Sequence, residues 1–555
     1  MCGIWACVGF SNEIIDNPDR CIKQLHERGP EGIKRVDLSG CILGFTRLAI
    51  NGLNTGGMQP MTNGRLWWMC NGEIYNWKAL SEKYGIIGQS GSDCEILGNL
   101  YQKIVLDEGA DPAAFFKMLD GVYSIVIVDT VLKQIIIARD PYGVRPLFLG
   151  TRYTLLGTQL IATSIVVSSE LKATWPIVNS APQFSPGTCR IYDMKTLCLS
   201  YNSRHHFIQY LKNPLYSPVA STGLEASCSA LRMALGEAVR KRMLAERPVA
   251  ALLSGGVDSS LIASLVAKEL RLYGGPPLKT FSIGMSGSQD LFYARKVADW
   301  IGSDHHEIIL SANDFLTAIP TVIRVIESYD TTTVRASVGN WLVAREVARQ
   351  CDCKVLFNGD GSDEVFGSYL YFNNAPHDVA YEEEVSRLLG EIHLYDVLRS
   401  DRCISSHGLE PRTPFLDKQF VSVARSIATE WLRPIKGMKP EKWLLRRAFD
   451  DGETLPHEVL WRRKEAFSDG VSSQEKSWYE LIQEYAQSMM TEGWEERAKH
   501  TYPNLTPVTA EQFFYRFHFE ANYGKASSQV ILDHFWMPRW SPGTTDPSAR
   551  ALEIY

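Results

Sequence analysis

Residues 249–260 of this chain have the sequence VAALLSGGVDSS, in which a short apolar run leads into a glycine-rich turn and then into an apolar-periodic segment. The pattern predicts a strand over 249–253 and a helix over 261–270. Gly255 and Gly256 would let backbone N–H groups approach an anion, the hydroxyl groups would add donors, and the helix N-terminus would add a positive dipole. The turn is therefore predicted to bind phosphate. It lacks Gly-Lys-Ser/Thr, so it is not a Walker loop.

The alternation of strand and helix continues beyond this turn. Strands are predicted over 279–283, 307–310 and 354–357, with a helix over 291–301 that ends at Gly302. Such repetition is typical of a parallel, doubly wound sheet, in which ligands bind beyond the carboxyl ends of the strands. A second glycine-rich turn, 358–367 (NGDGSDEVFG), follows the last of these strands. Its acids and glycines suggest a metal–phosphate site, and its spacing does not fit an EF-hand.

The composition excludes several classes of protein. A chain of 555 residues is too long for one compact domain and suggests two to four. The net charge is −6 with no long basic run, so nucleic acid is not an expected partner. No apolar stretch reaches the roughly 18 residues of a membrane span, and the N-terminus lacks a signal-peptide pattern. The 12 cysteines form no CxxC pair, and Cys351 with Cys353 forms only a CxC, so we expect no zinc site and a reduced, cytoplasmic chain.

The first 200 or so residues follow a different pattern, with short strands at regular spacing divided by Gly, Pro and Asn. Strands are predicted over 41–45, 66–70, 123–129 and 134–138. This pattern indicates a mostly antiparallel, layered α/β domain. The polar, proline-containing stretch 201–222 is predicted to be a linker, so that the chain divides into domains at 2–205 and 223–555.

Cys2 directly follows the initiator methionine. If Met1 is removed, Cys2 carries both a thiol and a free α-amino group, whose pKa of about 7.7–8.0 leaves a useful fraction neutral at cell pH. The tethered amine could then activate the thiol, as in an N-terminal nucleophile. The alternative is that Cys2 is a small apolar residue at the start of a strand.

Other polar residues of the first half fit the hydrolysis of an amino-acid amide. Asn71 and Gly72 follow the apolar run 66–70 and could supply the oxyanion hole that thiolate attack on an amide requires, although Asn-Gly is also a common tight-turn signal. Arg47 suits the carboxylate of an amino acid, and Glu73 and Asp93 suit its ammonium. Each of these charges could equally be a solvated surface group.

Taken in order, these residues resemble the class II glutamine amidotransferases. The match rests on Cys2-Gly3-Ile4, Arg28-Gly29-Pro30, Arg47-Leu48, residues 71–76 (NGEIYN), Ser92-Asp93, Leu119-Asp120-Gly121 and residues 139–147 (RDPYGVRPL). The resemblance implies a four-layer αββα N-terminal-nucleophile (Ntn) hydrolase domain that hydrolyses glutamine through a thioester on Cys2. The residues that it implies around glutamine are Arg47, Leu48, Ile50, Asn71, Gly72, Glu73 and Asp93. The family usually has His-Arg-Gly-Pro-Asp where this chain has Glu27-Arg28-Gly29-Pro30-Glu31, so position 27 departs from the pattern.

The second half resembles the glutamine-hydrolysing asparagine synthetase family. Residues 252–260 are similar to the pyrophosphatase loop of enzymes that split ATP into AMP and pyrophosphate. The match continues through 329–337 (YDTTTVRAS), 358–367, 407–417 (HGLEPRTPFLD), 463–470 (RKEAFSDG), 536–540 (WMPRW) and 546–550 (DPSAR). It implies a doubly wound ATP pyrophosphatase domain that makes β-aspartyl-AMP, which ammonia freed at Cys2 converts to asparagine. An internal ammonia channel and a homodimer are also implied.

The resemblance assigns roles in the second half. Asp258 and Asp363 would hold Mg²⁺ with pyrophosphate, and Thr332 and Arg335 would contact phosphates or the intermediate. Asp360 and Lys464 would be catalytic; relatives usually carry Glu at position 360, and Asp360 is expected to keep the role of that longer acid near the incoming ammonium. The residues expected around ATP are Leu252, Ser254, Gly255, Gly256, Asp258, Ser259, Ile283, Asn358 and Gly359.

Two alternatives stay open at this point. Glucosamine-6-phosphate synthase and amidophosphoribosyltransferase share the first half without the 254–260 loop, and β-lactam synthetases share the second half without Cys2. The other alternative is a catalytically inactive regulatory or binding homologue. The presence of Cys2, Asn71, Asp258 and Asp363 argues against it, whereas Asp360 and Glu27 leave it open.

Overall fold

The computed structural model describes residues 1–9, 18–175, 177–208, 223–463, 470–472, 476–541, 543–544 and 546–548. The first half contains two antiparallel sheets, with strand orders β2-β3-β1-β9-β8 and β11-β10-β7-β6-β5-β4. The strands are β1 (Gly3–Val8), β2 (Gly32–Leu38), β3 (Cys41–Arg47), β4 (Met61–Thr62), β5 (Leu66–Ile74), β6 (Gly121–Asp129), β7 (Gln134–Arg139), β8 (Phe148–Leu156), β9 (Gln159–Ser168), β10 (Thr188–Asp193) and β11 (Leu199–Arg204). The accompanying helices are α1 (Pro18–Lys23), α2 (Trp77–Tyr84), α3 (Ile96–Tyr101) and α4 (Pro112–Met118).

The two sheets pack face to face, and helices cover their outer faces. Because side chains alternate along a strand, Ile4 and Ala6 of β1 meet Met69 of β5 between the sheets. The residues that alternate with them face outward: Trp68 of β5 packs under α3 and α4, and Trp5 of β1 packs with α1. The result is the expected four-layer αββα arrangement.

The second half is built on a parallel sheet with strand order β14-β13-β12-β15-β16, and every paired strand runs parallel. The strands are β12 (Val249–Leu252), β13 (Lys279–Gly284), β14 (Asp304–Ile309), β15 (Val355–Phe357) and β16 (Glu410–Arg412). The helices are α5 (Leu224–Arg242), α6 (Val257–Leu272), α7 (Gln289–Ile301), α8 (Ala312–Ile326), α9 (Thr331–Gln350), α10 (Ser362–Phe366), α11 (Asp378–Glu391), α12 (Asp396–Ser405), α13 (Lys418–Ser426), α14 (Thr429–Leu432), α15 (Trp443–Ala448), α16 (His457–Leu460), α17 (Trp478–Ser488), α18 (Trp494–Thr501) and α19 (Ala510–Ser528). The expected doubly wound sheet is confirmed.

Three element boundaries differ from the sequence-based expectation in ways that affect the sites. Helix α6 begins at Val257 rather than at residue 261, so Asp258 lies in its first turn. Strand β5 continues to Ile74, and Asn71-Gly72 lies inside it opposite Ser124 and Tyr123 of β6, which excludes a tight turn there. Ladder pairing with β6 outweighs the local turn preference of Asn-Gly. The first residues of the expected linker 201–222 form the end of β11, and 209–222 lie outside the described residues.

Buried ion pairs join the two halves next to the N-terminus. Arg28, which is fully buried, donates to Asp401 of α12 at 2.7 Å and to Glu170 at 3.0 Å. Arg412 of β16 lies 3.4 Å from Glu73 of β5. Removing one member of such a network leaves an unpaired buried charge, at a cost of about 3–5 kcal/mol. Strand β16 therefore lies between strand β5, which it meets through Arg412 and Glu73, and strand β15, to which it is hydrogen-bonded.

No helix within the described ranges has both the length and the apolarity that a membrane crossing requires.

Candidate active sites

Cys2 lies at the start of β1, partly buried between the two halves. The Cys2 Sγ is 3.5 Å from the carbonyl oxygen of Leu48. The side chain of Arg28 donates to the carbonyl oxygen of Cys2 at 3.1 Å. Burial raises the pKa of the thiol to about 11, partly offset by the neighbouring α-amino group. This amino group belongs to Met1, which is present in the structure. Burial lowers its pKa to about 6, and the negative charge of Glu410 opposes the shift. Removal of Met1 would place an α-amino group on Cys2 itself, next to the thiol that it would have to activate.

Asn71 provides unused hydrogen-bonding groups in the middle of β5. Asn71 is fully buried, and neither its Nδ2 nor its Oδ1 has a hydrogen-bond partner in the described part of the chain. A buried amide without partners is costly, so this one is suited to a bound oxygen. Gly72 has φ of +153°, and a Cβ there would lie 2.0 Å from the carbonyl oxygen of Val122. The site therefore requires glycine at this position.

The charges predicted to hold an amino acid are buried near Cys2. Arg47 is 8% exposed and donates to the carbonyl oxygens of Asn54 and Gly52. Asp93 accepts from the backbone N–H of Ile74 at 2.7 Å, and burial raises its pKa to about 6. Burial, together with Asp93 and Glu410, raises the pKa of Glu73 well above its usual range. This excess of buried carboxyl groups favours a cationic ligand, such as an ammonium group.

The two departures near position 30 do not alter this pocket. Glu27 points outward, with its side chain 44% exposed, and pairs with Lys172 at 3.0 Å. Glu31 accepts from the backbone N–H of Ala49 at 2.8 Å and pairs with Arg247 at 2.8 Å. Glu31 therefore supports the segment that follows Arg47. The remaining residues predicted around glutamine are Leu48 and Ile50. The carbonyl oxygen of Leu48 accepts from the Cys2 thiol, and that of Ile50 accepts from the backbone N–H of Glu246.

The second site is a cleft of about 270 Å³ at the carboxyl ends of β12, β13 and β15. Two hydroxyl groups of the glycine-rich turn hydrogen-bond to each other, with 3.0 Å between the Oγ atoms of Ser254 and Ser259. Gly359 allows the second turn to approach the first, since a Cβ on it would lie 2.8 Å from Asp258. The residues predicted around ATP that line this cleft are Leu252, Ser254, Gly256, Asp258, Ser259, Ile283, Asn358 and Gly359.

Lys442 holds together the two carboxylates predicted to bind metal. Its Nζ lies 2.5 Å from Asp258 and 2.6 Å from Asp363, and its side chain is only 2% exposed. Asp258 also accepts from Ser362 at 2.8 Å. Both carboxylates thus point at one cation position, and oxygen donors of this kind fit Mg²⁺. Within the described ranges no group of three or more His, Cys, Asp or Glu side chains surrounds a common point, so phosphate oxygens would have to complete such a site.

Asp360 lies in the same cleft and is bound by Arg399 at 3.1 Å. Arg399 also pairs with Asp396. Burial raises the pKa of Asp360 to about 6, with Arg399 opposing and Asp396 adding to the shift. Its Oδ2 has no hydrogen-bond partner among the residues described. A carboxyl group that titrates near neutral pH can accept a proton during a reaction.

Some residues predicted at the ATP cleft do not line it among the described residues. Arg335 does not line the cleft; its guanidinium is buried between Glu511 and Asp546, at 2.5–2.8 Å. The expectation that it contacts phosphates is not supported by this geometry, because two carboxylates already neutralise it. Gly255 lies beside the cleft, and its carbonyl oxygen accepts from Arg462 at 3.3 Å. Thr332 lines the cleft as expected, whereas Lys464 falls outside the described residues.

The sequence reasoning gave no role to Lys442, Arg399 or Glu410. Lys442 precedes α15 with φ of +55°, and no nearby motif marks it as a partner of Asp258. Glu410 and Arg412 were part of a family motif, but nothing in the sequence shows that they reach the N-terminus. Arg145 beside Glu410 and Glu73 beside Arg412 are more than a hundred residues away along the chain, so only the fold identifies these contacts.

Comparisons with known proteins agree with both sites. Residues 1–228 match the family described as "Glutamine amidotransferase domain", and residues 230–386 and 374–543 match "Asparagine synthase". The first half is therefore a glutamine amidotransferase domain. Over its full length the chain is 40% identical to "Asparagine synthetase [glutamine-hydrolyzing]" of Gallus gallus, of which 99% is covered. The protein of the same name from Homo sapiens is 39% identical, again over 100% of this chain and 99% of that one.

The chain belongs to the glutamine-hydrolysing asparagine synthetase family. The match confirms the family expected from the sequence. A protein related to only one half of this chain would leave the other half of the chain unmatched. Among solved structures, a glutamine phosphoribosylpyrophosphate amidotransferase of B. subtilis covers 57% of this chain and 92% of its own, at 16% identity and a TM-score of 0.30. The fold assignment above does not depend on that likeness.

Proposed function

We propose that the protein converts ATP, L-aspartate, L-glutamine and water to AMP, pyrophosphate, L-asparagine and L-glutamate. The observation that carries the proposal is the presence of both candidate sites in one chain that matches its relatives from end to end. The relatives are named as asparagine synthetases that hydrolyse glutamine. The intact donor sets of the two sites also argue against an inactive homologue.

In the first half the Sγ of Cys2 would attack the amide carbon of glutamine, with the α-amino group left by removal of Met1 taking the thiol proton. Asn71 and the Gly72 N–H would stabilise the oxyanion. Ammonia would leave, and water would hydrolyse the thioester to glutamate. Arg47 would bind the substrate carboxylate, and Glu73 with Asp93 its ammonium. The unpartnered Asn71 amide and the buried acids support these roles.

In the second half the β-carboxylate of aspartate would attack the α-phosphorus of ATP and release pyrophosphate. Ammonia would then attack the acyl carbon of β-aspartyl-AMP, and AMP would leave. The glycine-rich turn and the N-terminus of α6 would bind phosphates. Asp360 would take a proton from the incoming nitrogen, which its raised pKa and free Oδ2 support.

Mg²⁺ would be held by Asp258 and Asp363, which point at one position. Bound there, it would neutralise charge on pyrophosphate. In its absence Lys442 provides the compensating positive charge for both carboxylates. Lys442 would therefore shift toward the phosphates when ATP binds.

We also infer a homodimer and a cytoplasmic location. The dimer is proposed from the resemblance. The location is supported by the cysteines, since all 12 are free thiols and most of them are buried.

A coupled assay tests the proposal. Purified protein would be given ATP, magnesium and glutamine labelled with ¹⁵N in the amide, with and without aspartate. We expect aspartate-dependent pyrophosphate release and asparagine that carries ¹⁵N in its side chain. Pyrophosphate release that does not depend on aspartate, or label in another acceptor, would refute the proposed reaction.

A further inference from the structure

One half of the ATP cleft has the character of an acyl-substrate pocket. Among the charged side chains that line the cleft are three acids, Asp360, Glu364 and Asp396, and one cation, Arg399. Arg399 already pairs with Asp360 and Asp396. Glu364 of α10 is therefore the acid of this set that no cation in the set neutralises.

Glu364 presents one buried oxygen without a donor. Its side chain is 4% exposed, and its Oε1 accepts from the hydroxyl of Tyr369 at 2.6 Å. Its Oε2 is buried and has no hydrogen-bond partner in the described ranges. A buried carboxylate oxygen without a donor is costly, so this position favours a ligand that brings one. A cationic donor suits it best.

If the proposed reaction holds, one substrate brings such a donor. ATP and the two carboxylates of aspartate are anionic. Apart from the Mg²⁺ proposed at Asp258 and Asp363, the cationic group that these substrates bring is the α-ammonium of aspartate. We propose that Glu364 binds the α-ammonium group of the substrate aspartate, with Tyr369 fixing the carboxylate. The neighbouring Asp363 is bound by Lys442 at 2.6 Å, so successive acids of α10 serve the phosphate end and the acyl end of the cleft.

Aromatic packing holds the Tyr369 hydroxyl in place. The ring of Tyr369 lies 5.2 Å from that of Trp536, which also lines the cleft. The backbone N–H of Trp536 donates to Asp330 at 2.8 Å, and Asp330 also caps α9 through Thr333. The C-terminal segment around Trp536 is thus fastened to a helix that lines the cleft, and it forms a fixed wall behind Tyr369.

The chain offers a matched control two residues away. Tyr371 donates to Glu384 at 2.7 Å, and its ring stacks on that of Tyr369 at 6.1 Å. Neither Tyr371 nor Glu384 lines the cleft. Tyr371→Phe therefore removes a similar tyrosine–glutamate hydrogen bond without touching the proposed site.

The test compares aspartate with succinate, which has the same two carboxylates and no amino group. Glu364→Gln keeps an acceptor for Tyr369 and removes the charge. We expect the KM for aspartate to rise by about 10- to 100-fold, as for the loss of a charged hydrogen bond. The inhibition constant of succinate, the KM for ATP and glutamate production should stay within about twofold. Tyr369→Phe should raise the KM for aspartate less, and Tyr371→Phe should leave it unchanged.

An unchanged KM for aspartate in Glu364→Gln would overturn the assignment, as would an equal loss for aspartate and succinate. Retained glutamate production shows that Glu364→Gln is folded. If glutamate production is lost, Glu364→Asp, which only displaces the charge, is tested in its place. It is judged by the same comparison of the KM for aspartate with the inhibition constant of succinate. A wild-type enzyme that releases no aspartate-dependent pyrophosphate would instead refute the proposed reaction and this assignment together.

Discussion

Replacing Asp258 by Asn separates the two activities of the chain. Asp258 accepts from Lys442 at 2.5 Å and from Ser362 at 2.8 Å. Asn retains a hydrogen-bonding side chain of the same size and removes one negative charge. Lys442 keeps Asp363 at 2.6 Å, so no buried cation is left unpaired. The free energy of unfolding should fall by only about 1.5–3 kcal/mol, the net contribution of one hydrogen bond to a charged group.

The effect on the reaction should be larger than the effect on stability. The site loses one of the two carboxylates proposed to hold Mg²⁺ with pyrophosphate. The loss of a charged interaction of about 3 kcal/mol in the transition state corresponds to a rate roughly 150-fold lower. Glutamate production should remain, because Cys2 and its oxyanion hole lie in the other domain.

The assay measures pyrophosphate and glutamate in the same reaction, with a thermal unfolding curve for each variant. Asp299→Asn is the matched control, since Asp299 is an exposed acid of α7 in the same domain. Pyrophosphate release near the wild-type rate in Asp258→Asn would refute the metal–phosphate assignment. Loss of both products with a large fall in Tm would instead show that Asp258 has a structural role.

Four further outcomes are expected. Cys2→Ala should abolish glutamate formation and retain asparagine synthesis from ammonium, measured with each nitrogen source; equal loss from both would refute the two-site scheme. Asp360→Ala should nearly eliminate asparagine formation and Asp360→Glu should retain it, by product kinetics; unchanged synthesis in the alanine variant would contradict a role for this acid. Burial lowers the pKa of His205 to about 4, so unfolding takes up a proton below the unfolded pKa of 6.5, and stability falls as the pH drops from 6.5 toward 4. Between pH 7 and 5, the free energy of unfolding of His205→Gln should therefore fall by about 2 kcal/mol less than that of the wild type, measured by urea denaturation. Arg335→Met should cost about 3–5 kcal/mol of stability, because the buried Glu511 and the partly buried Asp546 lose their cation, and should leave the KM for ATP unchanged; a raised KM for ATP in a stable variant would support the phosphate contact instead.

The sequence predicted the elements best where hydrophobic periodicity is strong. The strand before Ser254, the helix that Gly302 ends and the parallel alternation after residue 223 all occur in the structure within a few residues. Prediction was weaker where local and tertiary preferences compete. Asn71-Gly72 is a strong local turn signal, yet pairing with β6 keeps both residues inside β5.

Charged residues were the least predictable part of the sites. Glu27 and Arg335 both stood in family motifs. The structure turns Glu27 outward toward Lys172 and buries Arg335 between two acids of the C-terminal region. A charge is neutralised by whichever opposite charge the fold brings near, and a sequence motif does not specify that partner.

The sequence alone therefore determined the fold class of each half, and it identified Cys2 as the candidate nucleophile and the two glycine-rich turns as candidate phosphate sites. These depend on residue type and local spacing, which the chain carries directly. Only the tertiary structure decided which groups complete the sites: Lys442 between Asp258 and Asp363, Arg399 beside Asp360, and Arg412 beside Glu73. In most of these contacts the partners are far apart along the chain, and they meet because the packing of the sheets and helices brings these opposite charges together in the interior.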